Sequence, residues 1–331
     1  SSAKLFPKNT VLVAMYGATA GQVGILKHSA STNQAVCGIL PTKYLIPEFI
    51  YYFFLNKKEQ LISQAVGNAQ PNISQKKIRN FKIPIPPLQE QKQIVTILDK
   101  AFTAIDQAKA NIERNIRNAE ELFQSKLNEI FSGNGEGWEE KKFSSIVEYT
   151  RKPKGYKPEN PVSFVPMKLV PEDEVYIQSH ETREKVSSGT FVKHGDLLLA
   201  KITPSFENGK QGILDIDSKY AYATTEVIPF QGKENVADTM FLFYYLKRDT
   251  TRDFLTNRME GTTGRQRVPK KALNSLIVSV PELKTQKVFA KNIEALKNES
   301  KKLISTYKRK IESLTELKKS ILQKAFAGEL T

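Results

Sequence analysis

The sequence predicts an α+β protein: two strand-rich α/β units, each closed by one long helix, with the two helices paired. Three observations predict it. The first is an internal repeat, because Ile73 to Gly133 lies without a gap on Val268 to Gly328, with Pro86/Pro281, Leu88/Leu283, Gln91/Gln286, Lys92/Lys287, Ile116/Ile311, Leu122/Leu317, Leu127/Leu322 and Phe131/Phe326 as anchors. The second is a set of short β-branched and aromatic runs broken by Gly, Asn and Pro. The third is a 3–4 alternation of apolar residues after Pro86-Pro87 and again after Pro281.

The repeat extends upstream with small gaps. Phe6-Pro-Lys returns as Phe191-Val-Lys, each before an apolar strand, "TVLVAM" and "DLLLAKI". Gly24-Ile-Leu returns as Gly212-Ile-Leu, "STNQAV" at Ser31 as "ATTEVI" at Ala223, and "FIYYFF" at Phe49 as "FLFYYL" at Phe241, which predict short helices behind the strands. The second repeat opens on about Gly133, whereas the first enters at the equivalent of about Val186. Equal repeats would therefore place roughly 50–60 further residues before Ser1, and the first domain reads as truncated.

Proline at the first helical position sacrifices no internal hydrogen bond, so Pro86-Pro87 and Pro281 suit helix starts. In the first helix the seam falls on Ile94, Leu98, Ala101, Ile105, Ala108 and Ile112; in the second on Phe289, Ile293, Leu296, Ser300, Leu303 and Tyr307. Both then shift by one place, at Ile116 and Ile311, which reads as a stutter. Helices of about 43 residues are about 65 Å long. One apolar seam of that length needs a partner, and the nearest is the duplicate. The segments are thus 1–87, a first domain; 88–132, a central helix; 133–282, a second domain; and 283–328, a distal helix.

Charge bounds the partners. The chain has 331 residues, a net charge of +15 and one cysteine, Cys37. The charge favours an anionic partner such as nucleic acid. One cysteine excludes an internal disulfide framework and suits a reducing cytoplasm. No run of about 18 apolar residues predicts a membrane span, and Ser1 to Pro7 does not read as a secretion signal. Gln89–Phe131 carries six basic and seven acidic residues, whereas Lys284–Phe326 carries twelve and four, so the two helices attract one another.

Catalytic motifs are missing. His28, His180, His194 and Cys37 have no zinc-ligand spacing. "GATAGQVG" at Gly17 lacks the lysine and hydroxyl of a phosphate loop, and neither G-x-S-x-G nor H-E-x-x-H occurs. Catalysis by this chain alone is not expected.

Basic and amide-rich loops do occur. "RKPKGYK" holds Arg151, Lys152, Lys154 and Lys157. "GTTGRQRVPKK" holds Arg265, Gln266, Arg267, Lys270 and Lys271, where the first repeat has "GNAQPNISQKK" with Asn68, Gln70, Asn72, Gln75, Lys76 and Lys77. Arginine reads guanine edges, Asn and Gln read adenine, and lysine mostly holds phosphate. A second loop pair follows the first shared strand: Tyr16, Thr19 and Gln22 against Lys201, Thr203, Ser205, Asn208, Lys210 and Gln211. Two modules reading two different sequences would need such divergence on a shared scaffold.

The "IPIPPLQEQKQIVTILD" stretch, the terminal "LKKSILQKAFAGEL" and the duplication resemble the DNA-specificity subunits of type I restriction-modification systems across essentially the whole chain. The resemblance implies two target-recognition domains, each followed by a conserved helix, with the helices forming an antiparallel coiled coil about a pseudo-two-fold axis. Each domain would read one half of an interrupted double-stranded DNA site. The helices would set the spacer and dock two methyltransferase (modification) subunits, which bring S-adenosylmethionine; restriction subunits would add ATP/Mg2+-dependent cleavage. No cofactor is expected in this chain. A silent specificity fragment, or a coiled-coil scaffold without DNA specificity, remains the alternative.

Overall fold

The computed structural model describes residues 5–63, 72–132, 137–158 and 160–330. Contacts divide the chain into two compact units. Unit 1 is Ser1–Ile116 with Ser305–Thr331, and unit 2 is Arg117–Ile304. These units cross the four linear segments, since each takes the start of one long helix and the end of the other.

In unit 1, β1 (Leu5–Phe6), β2 (Val11–Ala14), β3 (Val23–Ile25), β4 (Ala30–Ser31) and β5 (Val36–Ile39) precede α1 (Pro47–Asn56), α2 (Lys58–Ser63) and α3 (Gln75–Arg79). The central antiparallel sheet has the order β3-β2-β5, with Val11 opposite Ile39 and Ala14 opposite Val36. Val11, Val13, Ile50, Phe53 and Leu61 form its core. The long helix α4 (Leu88–Phe131) follows.

In unit 2, β6 (Glu139–Lys142), α5 (Phe143–Ile146), β7 (Val147–Tyr149), β8 (Val162–Val165), β9 (Tyr176–Ile177) and β10 (Glu181–Arg183) come first. Then come β11 (Thr190–Lys193), β12 (Leu197–Ala200), β13 (Gln211–Leu214), β14 (Tyr220–Ala223) and β15 (Val227–Gly232). Helices α6 (Thr239–Tyr245), α7 (Asp249–Thr256) and α8 (Lys270–Asn274), strand β16 (Ile277–Val280) and the long helix α9 (Leu283–Ala327) complete the chain. Two larger sheets result, β7-β15-β12-β13-β9 and β10-β8-β14-β11. β12 reads Leu-Leu-Leu-Ala and is wholly buried, as a strand covered on both faces must be.

Burial explains why the Pro86–Gln91 and Pro281–Gln286 segments of the repeat match. Gln91 and Gln286 are both fully buried. Gln91 Nε2 donates to Tyr44 O and Pro86 O, both at 2.8 Å, and its Oε1 accepts from Ile46 N at 3.0 Å. Gln286 Nε2 donates to Val236 O and Pro281 O at 3.0 and 2.8 Å, and its Oε1 accepts from Asp238 N at 2.9 Å. Ile46 and Asp238 are the N-caps of α1 and α6. One buried amide therefore ties the start of each long helix to the start of the first helix behind the strands, and pairs three backbone groups.

The far ends of the long helices are also equivalent. Phe326 of α9 lies 5.1 Å from Phe49 in unit 1, tilted at 56°, and Phe131 of α4 lies 4.8 Å from Phe241 in unit 2, tilted at 53°. Within unit 1 the helices run antiparallel: Lys109 Nζ meets Thr315 Oγ1 at 2.6 Å, and Lys318 Nζ meets Asp106 at 2.7 Å.

The seam needs two corrections. Buried or half-buried side chains follow an unbroken 4–3 alternation, 91, 95, 98, 102, 105, 109, 112, 116, 119 and 123 in α4, and 286, 290, 293, 297, 300, 304, 307, 311, 314, 318, 321 and 325 in α9. Ile116 and Ile311 are in phase, so neither marks a stutter. Leu303 is 44% exposed, and the half-buried Ile304 takes its place. Ile94, Leu98, Ile105 and Ile293 are buried; Ile112, Phe289, Leu296 and Tyr307 are half-buried. The phase was hidden because Lys109 and Lys297 occupy seam positions, their stems covering apolar surface while the ammonium reaches a polar partner.

Candidate nucleic-acid interface

In unit 2 the chain leaves β12 at Lys201 and folds back against the arginine loop. Val268 N donates to Lys201 O at 2.8 Å and Thr203 N to Gln266 O at 3.0 Å, while Ile202 bridges Arg267. The arginine loop closes on itself through reciprocal backbone bonds between Glu260 and Arg267, 2.9 and 2.8 Å. Gly261 has φ +129°, and a Cβ there would sit 2.7 Å from Arg265 O, so this hinge requires glycine.

A third segment joins the same region. Tyr149, at the end of β7, receives the Lys270 ammonium 3.4 Å from its ring centroid and donates from its hydroxyl to Asn274 Oδ1 at 2.5 Å. Burial, and then the nearby Arg151 charge, push the Lys270 amine down from its ordinary value. The basic segment Arg151–Lys157 is then held on the β11–β14 sheet. The Tyr156 ring lies 5.1 Å from Phe191 and 5.2 Å from Tyr220, and Lys152 Nζ lies 5.9 Å from the Tyr156 ring and 5.8 Å from that of Tyr222. Arg151, Lys152, Lys154 and Lys157 are all exposed.

Several predicted cations have other engagements. Lys210 is half-buried and donates to Met167 O and Val170 O at 3.3 and 3.2 Å, which makes it a loop brace and removes it from the exposed set. Lys271 pairs with Glu260 at 2.6 Å. Thr203 Oγ1 donates to Glu207 Oε1 at 2.8 Å, Ser205 is half-buried, and Asn208 stays exposed. Arg265 is exposed, Gln266 half-buried, and Arg267 forms a two-point pair with Glu226, Nε to Oε2 at 2.9 Å and Nη2 to Oε1 at 2.8 Å. That hydrogen bond holds the Glu226 carboxyl below its usual range, against its partial burial.

The supports of this region escaped the sequence reading. Arg252 donates through Nε to Leu246 O at 2.7 Å and through Nη1 to Phe206 O at 3.0 Å, and its Nη2 bonds Gln211 Oε1. Burial pushes its guanidinium down to about 9. Lys247 donates to Gly209 O at 2.7 Å and to Glu172 O, and burial, with Arg252 and Lys297 next, pushes its amine down to about 7. Both side chains hold the loop that follows Lys201 through its backbone. Arg252 lies within α7 and Lys247 just before it, and no sequence motif singles out either one.

Unit 1 builds the same junction. Ile73 N donates to Met15 O at 2.8 Å, Tyr16 bridges Asn72, and Met15 N donates to Ala35 O at 2.8 Å. Tyr16 is 39% exposed, and Thr19, Gln22, Asn72, Gln75 and Lys76 are exposed, with Lys77 half-buried. Asn68 and Gln70 lie outside the described residues. Strand register also shifts one part of the repeat: Ala14 faces Val36 as Ala200 faces Val227, so Ala35, and not Gln34, stands where Glu226 stands. The turns agree, Ala35 N donating to Asn33 Oδ1 as Glu226 N donates to Thr224 Oγ1. Among the described residues no helix is long and apolar enough to cross a membrane.

Comparison with known proteins gives this geometry a family. The chain matches the family described as "Type I restriction modification DNA specificity domain" over residues 1–117 and 135–313. It is 25% identical to the MjaVIII specificity subunit of a type I restriction enzyme from Methanocaldococcus jannaschii, over 98% of this chain and 79% of that one. It is also 25% identical to the EcoKI specificity subunit of Escherichia coli K12, over 100% of this chain and 76% of that one. Two solved structures share the fold: a chain from work on complex assembly and conformational transition of the type I R-M system, at TM-score 0.80 and 17% identity over 99% of this chain and 85% of that one, and the HsdS subunit from Thermoanaerobacter tengcongensis, at 0.62 and 19% over 99% and 83%. With the family matched over both repeats and the fold shared, this chain belongs to the type I restriction-modification DNA-specificity family.

Proposed function

We propose that this chain is the non-catalytic, sequence-reading subunit of a type I restriction-modification complex, with each target-recognition domain reading one half of an interrupted double-stranded DNA site. One observation carries the proposal. The same backbone junction presents Arg267 and Lys270 in unit 2, but Asn72 and Gln75 at the equivalent places in unit 1. Divergent donors and acceptors on a shared frame are what two different half-sites demand. The exposed cations Arg151, Lys152, Lys154, Lys157 and Arg265 would hold phosphates and fix register.

The paired helices would set the unread spacer and dock two methyltransferase subunits, which supply S-adenosylmethionine; restriction subunits would supply ATP/Mg2+ chemistry. Four residues inserted near Ala119 would lengthen α4 by about 6 Å. At about 3.4 Å per base pair, the spacer should grow by about one or two base pairs with both half-sites unchanged. Sequencing methylated sites made by the assembled complex reads this directly. An unchanged spacer, or altered half-sites, would remove the helices as the ruler.

A further inference from the structure

We infer that Glu226 is a positioning residue that presents Arg267 as the reader of one guanine in the half-site of the second domain. The inference rests on the DNA-reading function proposed above and names the residue and base that carry part of it.

The geometry of the pair comes first. Glu226 accepts from Nε and Nη2 of Arg267, at 2.9 and 2.8 Å, along one edge of the guanidinium. The adjacent edge, Nη1 with the second Nη2 hydrogen, keeps its donors; among the described residues it makes only a long 3.5 Å approach of Nη1 to Arg265 O. Two parallel donors on one edge match guanine O6 and N7, the acceptor pair that arginine reads in the major groove. The Arg267 side chain as a whole is 45% exposed. Both ends of the pair are anchored: the Glu226 carbonyl accepts from Lys201 N at 2.9 Å, and Arg267 is fixed to Glu260 by two backbone bonds.

The cost of the carboxylate points the same way. An ion pair this exposed contributes little to stability. It also places a negative charge among cations that are to meet a polyanion. Orientation of a planar fork is what such a carboxylate can supply, since it removes rotamer freedom that arginine would otherwise lose on binding. The first domain is the internal comparison. There the two places are Ala35 and Asn72, so the carboxylate is absent together with the arginine. Asparagine reads adenine through its own amide and needs no such brace. The carboxylate occurs where the arginine occurs.

The test uses the full chain. Randomised duplex DNA is selected on the wild type, and affinities are then measured for the enriched duplex and for each single-base replacement in it, using wild type, Glu226→Gln, Arg267→Ala, Arg267→Lys and the double variant Glu226→Gln/Arg267→Ala. The wild type should require one guanine that Arg267→Ala releases, with discrimination at that base falling about 5- to 150-fold. Glu226→Gln should release the same base while its thermal transition stays at the wild-type temperature. The double variant should lose no more than Arg267→Ala, because the two residues act as one unit. Arg267→Lys should not restore the base, since lysine has no fork. Uniform weakening at every base, a motif unchanged in all variants, or early melting of Glu226→Gln would each overturn the assignment. A wild-type chain that enriches no motif would overturn the DNA-reading function itself, and this inference with it.

Discussion

Replacing Gln286 with methionine tests the link between the repeated sequence and the fold. The side chain keeps its length but loses both polar atoms, leaving Asp238 N–H, Val236 C=O and Pro281 C=O without the fully buried amide that pairs them. A buried backbone group left unpaired costs about 1–3 kcal/mol, less for a carbonyl that keeps a second acceptor site. The expected loss is therefore about 3–5 kcal/mol, a large share of the stability of a domain. For a unit of this size that lowers the melting temperature by roughly 10 °C. Chemical denaturation reads the energy, and hydrogen exchange at the Asp238 amide reads the place. Gln286→Glu is the sharper variant, because a carboxylate would face Val236 O and Pro281 O, where the amide donates. That variant should regain stability as pH falls toward the ordinary glutamic acid value of about 4.3, where a carboxyl proton restores one donor. A loss below about 1 kcal/mol for Gln286→Met, or a pH-independent Gln286→Glu, would refute the lock.

Two further predictions concern the carboxyl in the core and the phase of the seam. Asp196 is fully buried, and burial pushes its carboxyl up to about 6, against hydrogen bonds from Lys193 N and the Thr150 hydroxyl. Between about pH 4 and pH 6 the native chain keeps a proton that the unfolded chain has released, so stability should fall by about 3 kcal/mol as pH rises through that window. Asp196→Asn should flatten this slope in denaturation measured from pH 4 to 7; a slope that survives the substitution would assign it elsewhere. In α9, Ile304→Asp should destabilise by about 2 kcal/mol while Leu303→Asp stays within about 0.5 kcal/mol. Circular-dichroism melts separate the two, and the reverse order would restore the seam through Leu303.

Much of this was legible in sequence because it depends on local pattern. The prolines at 86, 87 and 281 mark helix starts, and Leu88 and Leu283 begin the helices. The matched Phe131 and Phe326 stand at or near the helix ends, where each meets the aromatic helix of a unit. What was misread depends on partners far away in the chain. Gln91 is visible as an anchor, yet its role needs Tyr44 and Ile46, more than forty residues upstream. Along the seam only Leu303 and the stutter differ from the pattern of apolar residues, because a lysine can fill a seam position: Lys109 does so by bonding Thr315. The alignment of "STNQAV" with "ATTEVI" slipped by one residue for a related reason. A one-residue slip turns every side chain of a strand to the opposite face, and only the register of β2 against β5 reveals it.

The candidate interface shows the same division between position and role. Composition placed the cations in loops, and the structure brings those loops together, but charge alone assigns no task. Lys210 and Lys271 carry the same charge as Lys154 and Lys157. The first donates to two carbonyls and the second pairs with Glu260, whereas Lys154 and Lys157 are exposed and make no ion pair among the described residues. A phosphate-holding cation must be free to exchange water and counterions for phosphate, so cations already engaged add little to the salt dependence of binding. The same criterion separates Arg265, which is exposed and makes no ion pair among the described residues, from Arg267, whose charge is already balanced by Glu226. The first is suited to the uniform backbone of DNA. The second has one edge held and one edge open, and a fork held in one orientation can distinguish one base from another.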